Sequence, residues 1–424
     1  MSGYRATKRV QHPGLQLILD KLHRGSNVSD KELQQLQRQI ADLENRAKAH
    51  RDNERPTELH PVLGTEIMES MLPGHATCEG TQRRALHFGN LCCAGFYRNV
   101  QDMLISSIGI GTYRGAIDNE TDAAYASAVH AALESGVNLI DTSLNYRSQR
   151  SERAVAAGIR RFVEKSGGSR DEIVVSTKGG YLLPEAITPG TLGANDVVGG
   201  THSLAPAFLA DQIDRSRRNL GLETIDIYYI HNPETQLAFI EPREFMGRVH
   251  VAFNRLERAA SDGLIRYYGT ATWNGYRGGD LSLRALARAA QEIAGDNHHF
   301  RFVQLPFNLG MREALTDPVE DGRTILDTAT ELRITVIASA SLLQGRLSRD
   351  LPDEITRMLP TLRTDAQRAI QFARSTPGIA SALVGMADKA HLVQNLAVAH
   401  VPTLTPAEYQ GFGSVLSGVP SRPA

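Results

Sequence analysis

The stretch SRRNLGLETIDIYYIHNPE, residues 216–234, contains the pattern that decides the fold. Its first residues complete an amphipathic helix whose apolar positions recur every three or four residues from Leu209 to Leu220, and Gly221 ends that helix. The next run, IDIYYIH, is almost continuously apolar and ends at His231, as expected of a strand buried on both faces. A helix that leads directly into such a strand is typical of the βαβ units of a parallel sheet.

The same alternation recurs along most of the chain. Amphipathic segments lie between successive apolar runs, for example residues 125–133, in which Tyr125, Val129, Ala132 and Leu133 form one face. Strands alternating with helices predict a (β/α)8 TIM barrel. An open doubly wound sheet is the alternative, but no G-x-G-x-x-G fingerprint follows an early strand. The eight apolar runs are LISSIGIGT, VNLIDT, EIVVSTKGG, IDIYYIH, RYYGTAT, RFVQLPF, ITVIASAS and ASALVGM.

The overall composition excludes several classes of protein. The chain has 424 residues, of which 41% are hydrophobic and 22% are charged, and this is ordinary for a globular protein. Its net charge of -1 gives no reason to expect nucleic acid or an anionic membrane as a partner. No apolar run is long enough to span a bilayer, and the first residues, MSGYRATKRVQHPG, lack the apolar core of a signal peptide. We therefore expect a cytoplasmic protein.

The cysteines point to a reducing compartment. There are three of them, Cys78, Cys92 and Cys93, and an odd, sparse number argues against a disulfide framework. Together with His75 they could in principle bind zinc, but the spacing lacks a paired C-x-x-C. We expect reduced thiols and no metal site. The segment around them, residues 75–103, has no clear period, and we expect it to close the bottom of the barrel.

The N-terminal residues differ in composition from the barrel. Ser29 and Glu32 have the spacing of a capping box, and an apolar stripe follows at Leu33, Leu36, Ile40, Leu43 and Ala47. With the shorter run LQLILDKL, this predicts a helical hairpin, which either docks on the barrel or forms a coiled-coil contact in a homo-oligomer. We predict a helical extension over 1–75, a barrel over 76–410 and a C-terminal tail over 411–424.

Four polar residues occupy or follow the ends of successive predicted strands. Asp141 ends the second strand and Tyr146 follows it, Lys178 ends the third and His231 ends the fourth. The C-terminal strand ends of a TIM barrel face its active site. A neighbouring ammonium lowers the pKa of a tyrosine, an aspartate keeps a buried lysine charged, and a histidine can orient a substrate oxygen. Such a set could protonate a developing alkoxide, but it needs a cofactor to supply a hydride.

The chain resembles the aldo-keto reductase family. NLIDTSLNY resembles the strand-two motif of that family, STKGG contains its strand-three lysine, and SRRNLGLETIDIYYIHNPE contains its strand-four histidine. GLIRYYGTATWN, FVQLPFN, VIASASLLQGRL and ALVGMADKAHLVQNLAV follow in family order, so the resemblance covers roughly residues 76–400. It implies a barrel that reduces small-molecule carbonyls with a nicotinamide cofactor. Tyr146 would be the general acid, Lys178 would lower its pKa, Asp141 would hold Lys178, and His231 would orient the carbonyl.

The resemblance also implies a cofactor site. Gln304 on strand six would touch the nicotinamide amide, the loop SLLQGRL after strand seven would hold the pyrophosphate, and Asn395 would meet the adenine. The full set of cofactor residues implied in this way is Thr272, Gln304, Ser341, Leu342, Gln344, Gly345, Gly385, Lys389, His391 and Asn395.

Three positions depart from the family pattern. Ser339 replaces the aromatic residue that stacks on the nicotinamide, and Ala271 with Thr272 replaces a Ser-Asn pair. His391 replaces an arginine that binds the adenosine 2'-phosphate, and Lys389 lies nearby. We favour NADPH as the cofactor and keep NADH as the alternative.

The substrate loops give fewer constraints. A long segment rich in Gly, Pro and Thr follows strand three, and long loops on this face of a barrel usually shape substrate choice. Tyr181, Trp273 and Tyr276 are candidate substrate contacts, with plain packing as the alternative for each. Ser148 and Arg150 stand where the family has glycines and put extra polar bulk beside Tyr146.

Two functions of different classes follow from these residues. The first is an enzyme that reduces an aldehyde or ketone, which the set Asp141, Tyr146, Lys178 and His231 favours. The second is a cofactor-sensing or scaffolding subunit, the role that potassium-channel β-subunits of this fold play; the N-terminal hairpin and the altered cofactor positions motivate it. A metal-dependent lyase is disfavoured, because no set of convergent His and carboxylate ligands occurs at the strand ends.

Overall fold

The computed structural model describes residues 71–193 and 195–416. The predicted helical hairpin lies outside the described residues, and so do most of the extension over 1–75 and the last part of the tail over 411–424. The predicted domain boundaries and the oligomer contact through the N-terminal helix therefore remain predictions.

Eight parallel strands close into a barrel in chain order, with the eighth strand beside the first. Every predicted apolar run overlaps one of them, which confirms the TIM barrel and rules out the open doubly wound sheet. The strands are β1 (Ile108–Gly111), β2 (Leu139–Asp141), β3 (Val174–Gly179), β4 (Ile225–His231), β5 (Ile265–Ala271), β6 (Phe300–Pro306), β7 (Thr335–Ser339) and β8 (Ile379–Gly385).

One α-helix of the outer layer follows each strand, and the predicted apolar faces are buried. In α3, for example, Leu209, Ile213 and Leu220 are buried, and the helix ends at Gly221 with a φ of 63°, which glycine adopts without strain. The helices are α1 (Asn119–Glu134), α2 (Arg150–Lys165), α3 (Pro206–Leu220), α4 (Pro242–Ser261), α5 (Leu283–Ala294), α6 (Ile325–Glu331), α7 (Asp365–Ser375) and α8 (Lys389–Leu396).

The segment before β1 lies across the N-terminal end of the barrel, as predicted. It contains a helix, Cys78–His87, and an antiparallel hairpin of the strands Tyr97–Val100 and Met103–Ser106. Met103 packs with the apolar side chains inside the barrel, and Gln101 binds the carbonyl of Arg333 just before β7. The run LISSIGIGT therefore contributes to two strands, because its first half belongs to this hairpin.

Smaller elements occupy the loops and the C-terminal side. They are a ribbon of Val197–Val198 and His202–Ser203 after β3 and the helices Glu313–Thr316, Asp353–Met358 and Pro406–Leu416. All three cysteines are unpaired. Within the described ranges there is no group of three or more His, Cys, Asp or Glu side chains placed to hold a metal ion. No helix in the same ranges is long and apolar enough to cross a membrane.

Candidate active site

Three of the predicted catalytic side chains project from adjacent strand ends into the mouth of the barrel. Side chains alternate between the two faces of a strand, and Asp141, Lys178 and His231 take inward positions on β2, β3 and β4. One step below them, Leu139 and Tyr229 occupy inward positions on the same strands and belong to the apolar filling of the barrel. The alternation therefore places the polar side chains on top of an apolar layer, at the C-terminal end of the barrel.

Lys178 and Asp141 form a buried ion pair. Lys178 Nζ donates to Asp141 Oδ2 at 2.6 Å and to the carbonyl oxygen of Thr142 at 2.8 Å. Asp141 Oδ1 accepts hydrogen bonds from Ser176 Oγ and Gln304 Nε2, both at 2.8 Å. Burial lowers the pKa of Lys178, and the charge of Asp141 opposes that shift. Both carboxylate oxygens are thus hydrogen-bonded, and the carboxylate is fixed beside the ammonium.

Tyr146 lies next to this pair, in the loop after β2. Lys178 Nζ is 4.8 Å from the centroid of the Tyr146 ring. The ring packs edge-on against His231, at 5.8 Å between centroids, and against Tyr113, at 5.0 Å. The structure therefore brings Asp141, Tyr146, Lys178 and His231 together, while the catalytic role of each remains a prediction.

The pKa of Tyr146 shifts in the direction opposite to the predicted one. Burial, followed by the charge of Asp141, raises the pKa of Tyr146 well above its usual value. The reason is geometric, because the Lys178 ammonium lies over the face of the ring and is already paired with Asp141. The phenol is therefore protonated at neutral pH, which is the form that a proton donor needs.

His231 is neutral and is held at its Nδ1 side. Burial, followed by the positive charge of Lys178, lowers the pKa of His231 well below its usual value. Its Nδ1 lies 3.3 Å from Ser143 Oγ, which also lies 2.7 Å from Asn145 Oδ1. The Ser143 hydroxyl donates to Asn145 Oδ1, and the tautomer of His231 with its hydrogen on Nε2 is the form that can donate to a substrate oxygen.

The loop that carries Tyr146 has a strained backbone. Left-handed φ angles of 50°, 52° and 69° occur at three successive residues, Arg147, Ser148 and Gln149. Residues other than glycine pay about 1–2 kcal/mol each for this conformation. Arg147 and Arg150 both form ion pairs with Asp122 on α1. The Ser148 hydroxyl donates to the carboxylate of Glu185 in the loop after β3. The polar bulk that we predicted beside Tyr146 therefore anchors the loop to its neighbours.

The loop after β7 contains the residues predicted to hold the pyrophosphate. The Ser341 hydroxyl is buried and has no hydrogen-bond partner among the described residues, while Leu342 packs against the core. Gln344 and Gly345 have φ angles of 56° and 89°. The Gly345 N–H donates to the Leu342 carbonyl at 2.9 Å, so this turn is closed by a hydrogen bond within the loop. Arg114 Nη1 donates to the Gln344 carbonyl at 2.6 Å and ties this loop to the one after β1.

The remaining predicted adenosine contacts lie on or just before α8. Asn395 is buried, and its Oδ1 has no partner among the described residues. Gly385, Lys389 and His391 are exposed at the end of β8 and the start of α8. Asp388 caps α8 by accepting the His391 N–H at 2.9 Å, so a carboxylate already occupies part of this helix end. The unpartnered oxygens of Ser341 and Asn395 fit the polar groups of a nucleotide cofactor.

Thr272 and Gln304 lie side by side at the ends of β5 and β6. The Thr272 N–H donates to the Gln304 carbonyl at 2.9 Å, and both side chains are buried. The Gln304 side chain, predicted to touch the nicotinamide amide, donates to Asp141. Gln304 therefore connects the cofactor side of the barrel mouth to the ion pair.

The three predicted substrate residues lie in different environments. Tyr181 packs edge-on against His231 at 5.1 Å between centroids, and Trp273 is partly exposed in the loop after β5. Tyr276 is 1% exposed in the hydrophobic core, and its hydroxyl lies 2.6 Å from Thr270 Oγ1. Its side chain therefore belongs to the packing between the barrel and the helices, and Tyr276 is a packing residue and not a substrate contact.

Comparison with known proteins decides the family. A family model described as Aldo/keto reductase family matches residues 107–416, which include all eight strands and the four polar residues at the barrel mouth. The chain belongs to the aldo/keto reductase family. Membership of this family supports an oxidoreductase activity.

Relatives of this aldo/keto reductase bear the names of proteins with different functions. It is 22% identical to a probable voltage-gated potassium channel subunit beta of Arabidopsis thaliana, over 77% of this chain and 98% of that protein. It is 26% identical to a D-threo-aldose 1-dehydrogenase of a Pseudomonas species, over 69% of this chain and 89% of that protein.

Solved structures share the fold. A glycerol dehydrogenase from Gluconobacter oxydans superposes with a TM-score of 0.58 at 20% identity, over 78% of this chain and 98% of that one. An aldo/keto reductase from Klebsiella pneumoniae, in complex with NADP and acetate, gives a TM-score of 0.54 at 20% identity, over 76% and 94%.

Three residues at the mouth of the barrel were not predicted from the sequence. Tyr113, after β1, is 61% exposed and packs edge-on against Tyr146. Ser143 contacts Nδ1 of His231, and its position two residues after Asp141 was the available signal. His202 binds the carbonyl of His231 from the segment after β3, and only the fold reveals this contact.

Proposed function

We propose that this protein reduces an aldehyde or ketone to an alcohol with NADPH. One observation carries the proposal, which is the convergence of Tyr146, the Lys178–Asp141 pair and His231 at one point of the barrel mouth. These groups are arranged to transfer a proton to an oxygen atom, and carbonyl reduction needs a proton at that atom.

Each residue has one task in the proposed reaction. The bound nicotinamide supplies the hydride that carbonyl reduction requires. His231 donates a hydrogen bond to the carbonyl oxygen, and Tyr146 gives its phenolic proton to that oxygen as negative charge develops there. Lys178 then stabilises the phenolate, and Asp141 keeps Lys178 charged and in place.

The cofactor is held by the loop after β7, by α8 and by the ends of β5 and β6. The pyrophosphate is bound by Ser341, Leu342, Gln344 and Gly345. The adenosine is bound by Gly385, Lys389, His391 and Asn395, and the nicotinamide is bound by Thr272 and Gln304. The related structure from Klebsiella pneumoniae in complex with NADP supports NADPH, and NADH remains the alternative because Lys389 and His391 are the only cations proposed for a 2'-phosphate.

The substrate is a small carbonyl compound bound among aromatic side chains. Tyr113 packs edge-on against Tyr146 and Tyr181 packs edge-on against His231, and aromatic walls favour a substrate with an apolar portion. Trp273, in the loop after β5, is the third aromatic residue proposed to contact the substrate. Two of the similar proteins, an aldose dehydrogenase and a glycerol dehydrogenase, support polyhydroxy compounds as a second substrate class to test.

A fluorescence titration with NADPH and NADH, followed by turnover on a panel of aldehydes and ketones, tests the proposal. We expect saturable binding of NADPH and its oxidation in the presence of at least one carbonyl compound. Absence of binding for both nucleotides would contradict the cofactor assignment. Binding without turnover on the whole panel would contradict the catalytic one.

The second candidate is a cofactor-sensing or scaffolding subunit. The similarity to a probable channel β-subunit over 98% of that protein favours it. A homo-oligomer through the N-terminal residues belongs to the same candidate. Binding of NADPH without turnover, together with a gel-filtration shift on deleting residues 1–60, is the result expected of such a subunit.

A further inference from the structure

The segment between β3 and α3 folds back onto the barrel mouth. Its end pairs with its beginning, because the Leu182 N–H donates to Thr201 O and the Ser203 N–H donates to Gly180 O, both at 2.8 Å. His202 is the residue between these two contacts, and its side chain is 1% exposed. The pairing therefore places a buried histidine of the loop beside the end of β4.

The pairing of the strands leaves one carbonyl for His202 to bind. Pairing between β3 and β4 ends at Gly179 and Ile230, one residue before His231. The next N–H, that of Asn232, points the other way and donates to Ala271 on β5 at 2.6 Å. The carbonyl of His231 therefore faces the β3 side beyond the last strand pair, and His202 Nε2 lies 2.8 Å from it.

The hydrogen bonds of His202 define which of its nitrogens carries the hydrogen. Gln236 Nε2 lies 3.0 Å from His202 Nδ1, and an amide nitrogen can only donate, so Nδ1 is the acceptor. Nε2 then carries the hydrogen and donates to the His231 carbonyl. Gly180 is part of this arrangement, because a Cβ atom at that position would lie 2.6 Å from His202 Nε2.

A second contact connects the two histidines through Tyr181. The Tyr181 ring packs edge-on against His202 at 5.2 Å and against His231 at 5.1 Å between centroids. Its hydroxyl accepts a hydrogen bond from Asn232 Nδ2 at 3.1 Å. His202 thus contacts His231 directly at the main chain and indirectly at the ring.

We propose that His202 is a positioning residue for His231. It fixes the main chain and, through Tyr181, the ring of His231, so the loop after β3 sets the direction in which His231 meets the substrate oxygen. The role in turnover rests on the proposed carbonyl reduction, whereas the role in holding His231 does not.

Two substitutions separate the hydrogen bond from the packing. His202→Phe keeps an aromatic ring against Tyr181 but removes the N–H, and His202→Gln keeps an N–H at a similar reach. We expect kcat to fall about threefold to tenfold in His202→Phe, the effect of one lost hydrogen bond, with KM for NADPH unchanged. His202→Gln should recover most of the loss, and His250→Phe, at an exposed position of α4, should behave as the wild type.

A double-substitution test distinguishes positioning from general destabilisation. If His202 acts through His231, His202→Phe has no further effect on kcat in a His231→Ala background. An undiminished loss in that background, or wild-type kcat in His202→Phe alone, would overturn the proposal. If His202→Phe does not fold, Gln236→Leu, which removes the donor at Nδ1 of His202, should lower kcat in the same background-dependent way.

Nuclear magnetic resonance of the ¹⁵N-histidine-labelled protein tests the positioning without turnover. The ring signals of His231, assigned with a His231→Gln variant, should shift in His202→Phe and stay near their wild-type positions in His202→Gln. Unchanged His231 signals in His202→Phe would overturn the inference even for an active enzyme. Shifted signals in a protein without turnover would instead contradict the proposed function alone.

Discussion

At the scale of single residues, the Lys178–Asp141 pair is the most constrained feature of the site. Both side chains are buried, and the carboxylate accepts bonds from Ser176 and Gln304 as well as from Lys178. Removing the charge of one partner of a buried pair leaves the other uncompensated, at a cost of about 3–5 kcal/mol. The pair therefore matters for folding as well as for the proposed chemistry.

Asp141→Asn tests this dependence. We expect the free energy of unfolding in urea to fall by about 3 kcal/mol, because the Lys178 ammonium loses its counter-charge. We also expect kcat to fall by about a hundredfold, because Lys178 then stabilises the Tyr146 phenolate poorly. Asp280→Asn, at an exposed loop position, is the control and should change neither quantity. A fully stable and active Asp141→Asn variant would contradict the role of the pair.

The sequence identified these residues but not their electrostatics. Strand ends and residue types predicted that Tyr146 and Lys178 meet, and they do. The direction of the tyrosine pKa shift depends on how deeply the ring is buried and on which atom the ammonium faces, and a sequence contains neither quantity. For the same reason the sequence does not show that Tyr276, three residues after Trp273, is buried, with its hydroxyl beside Thr270 in the core.

At the scale of elements, the loop after β5 is held by one carboxylate. Glu234, three residues after His231, accepts hydrogen bonds at Oε1 from the N–H groups of Trp273, Asn274 and Gly275, at 3.1, 3.3 and 3.2 Å. Burial raises the pKa of Glu234, while these three bonds lower it. The segment after β4 thus fixes the loop that carries the proposed cofactor and substrate contacts.

Glu234→Ala is expected to loosen this loop without touching the proton-transfer groups. KM for the carbonyl substrate should rise about tenfold, the effect of losing hydrogen bonds to a charged group, and kcat should change less. Steady-state kinetics of Glu241→Ala provide the comparison, because that carboxylate is exposed and makes no capping bond at the start of α4. Equal KM values for the two variants would show that the Glu234 contact has no influence on the site.

The elements themselves were largely predictable. Buried parallel strands are continuous apolar runs, and helices that pack on a barrel have one apolar face, so both patterns are local in sequence. The contact of Glu234 with the β5 loop and that of His202 with His231 join segments tens of residues apart. No local sequence pattern distinguishes Glu234 and His202 from ordinary loop residues, and only the three-dimensional structure shows their contacts.

At the scale of the whole molecule, a buried arginine connects the segment after α8 to the barrel. Arg374 on α7 is fully buried and donates to Gln371 Oε1 at 2.8 Å, to Ser107 Oγ at 3.1 Å and to the carbonyl of Val398 at 3.0 Å, and it also bonds Val401. Burial lowers the pKa of Arg374. This guanidinium joins the residue before β1 to α7 and to the segment after α8.

Arg374→Met should therefore destabilise the protein strongly. Carbonyl groups left buried without donors cost about 1–3 kcal/mol each, so we expect the free energy of unfolding to fall by at least about 3 kcal/mol. Arg357→Met is the matched control, since that side chain is 69% exposed and pairs with Glu354 on its own helix. Urea unfolding of both variants checks the difference, and equal stabilities would contradict the structural role of Arg374.

The Tyr146→Phe variant tests most directly whether Tyr146 is the proton donor of a carbonyl reductase. The substitution keeps the ring contacts with Tyr113 and His231 and removes only the hydroxyl. Consumption of NADPH with a carbonyl substrate of the wild-type protein should fall by at least about a hundredfold, while NADPH binding measured by fluorescence stays unchanged. Turnover at the wild-type rate in Tyr146→Phe would contradict the account.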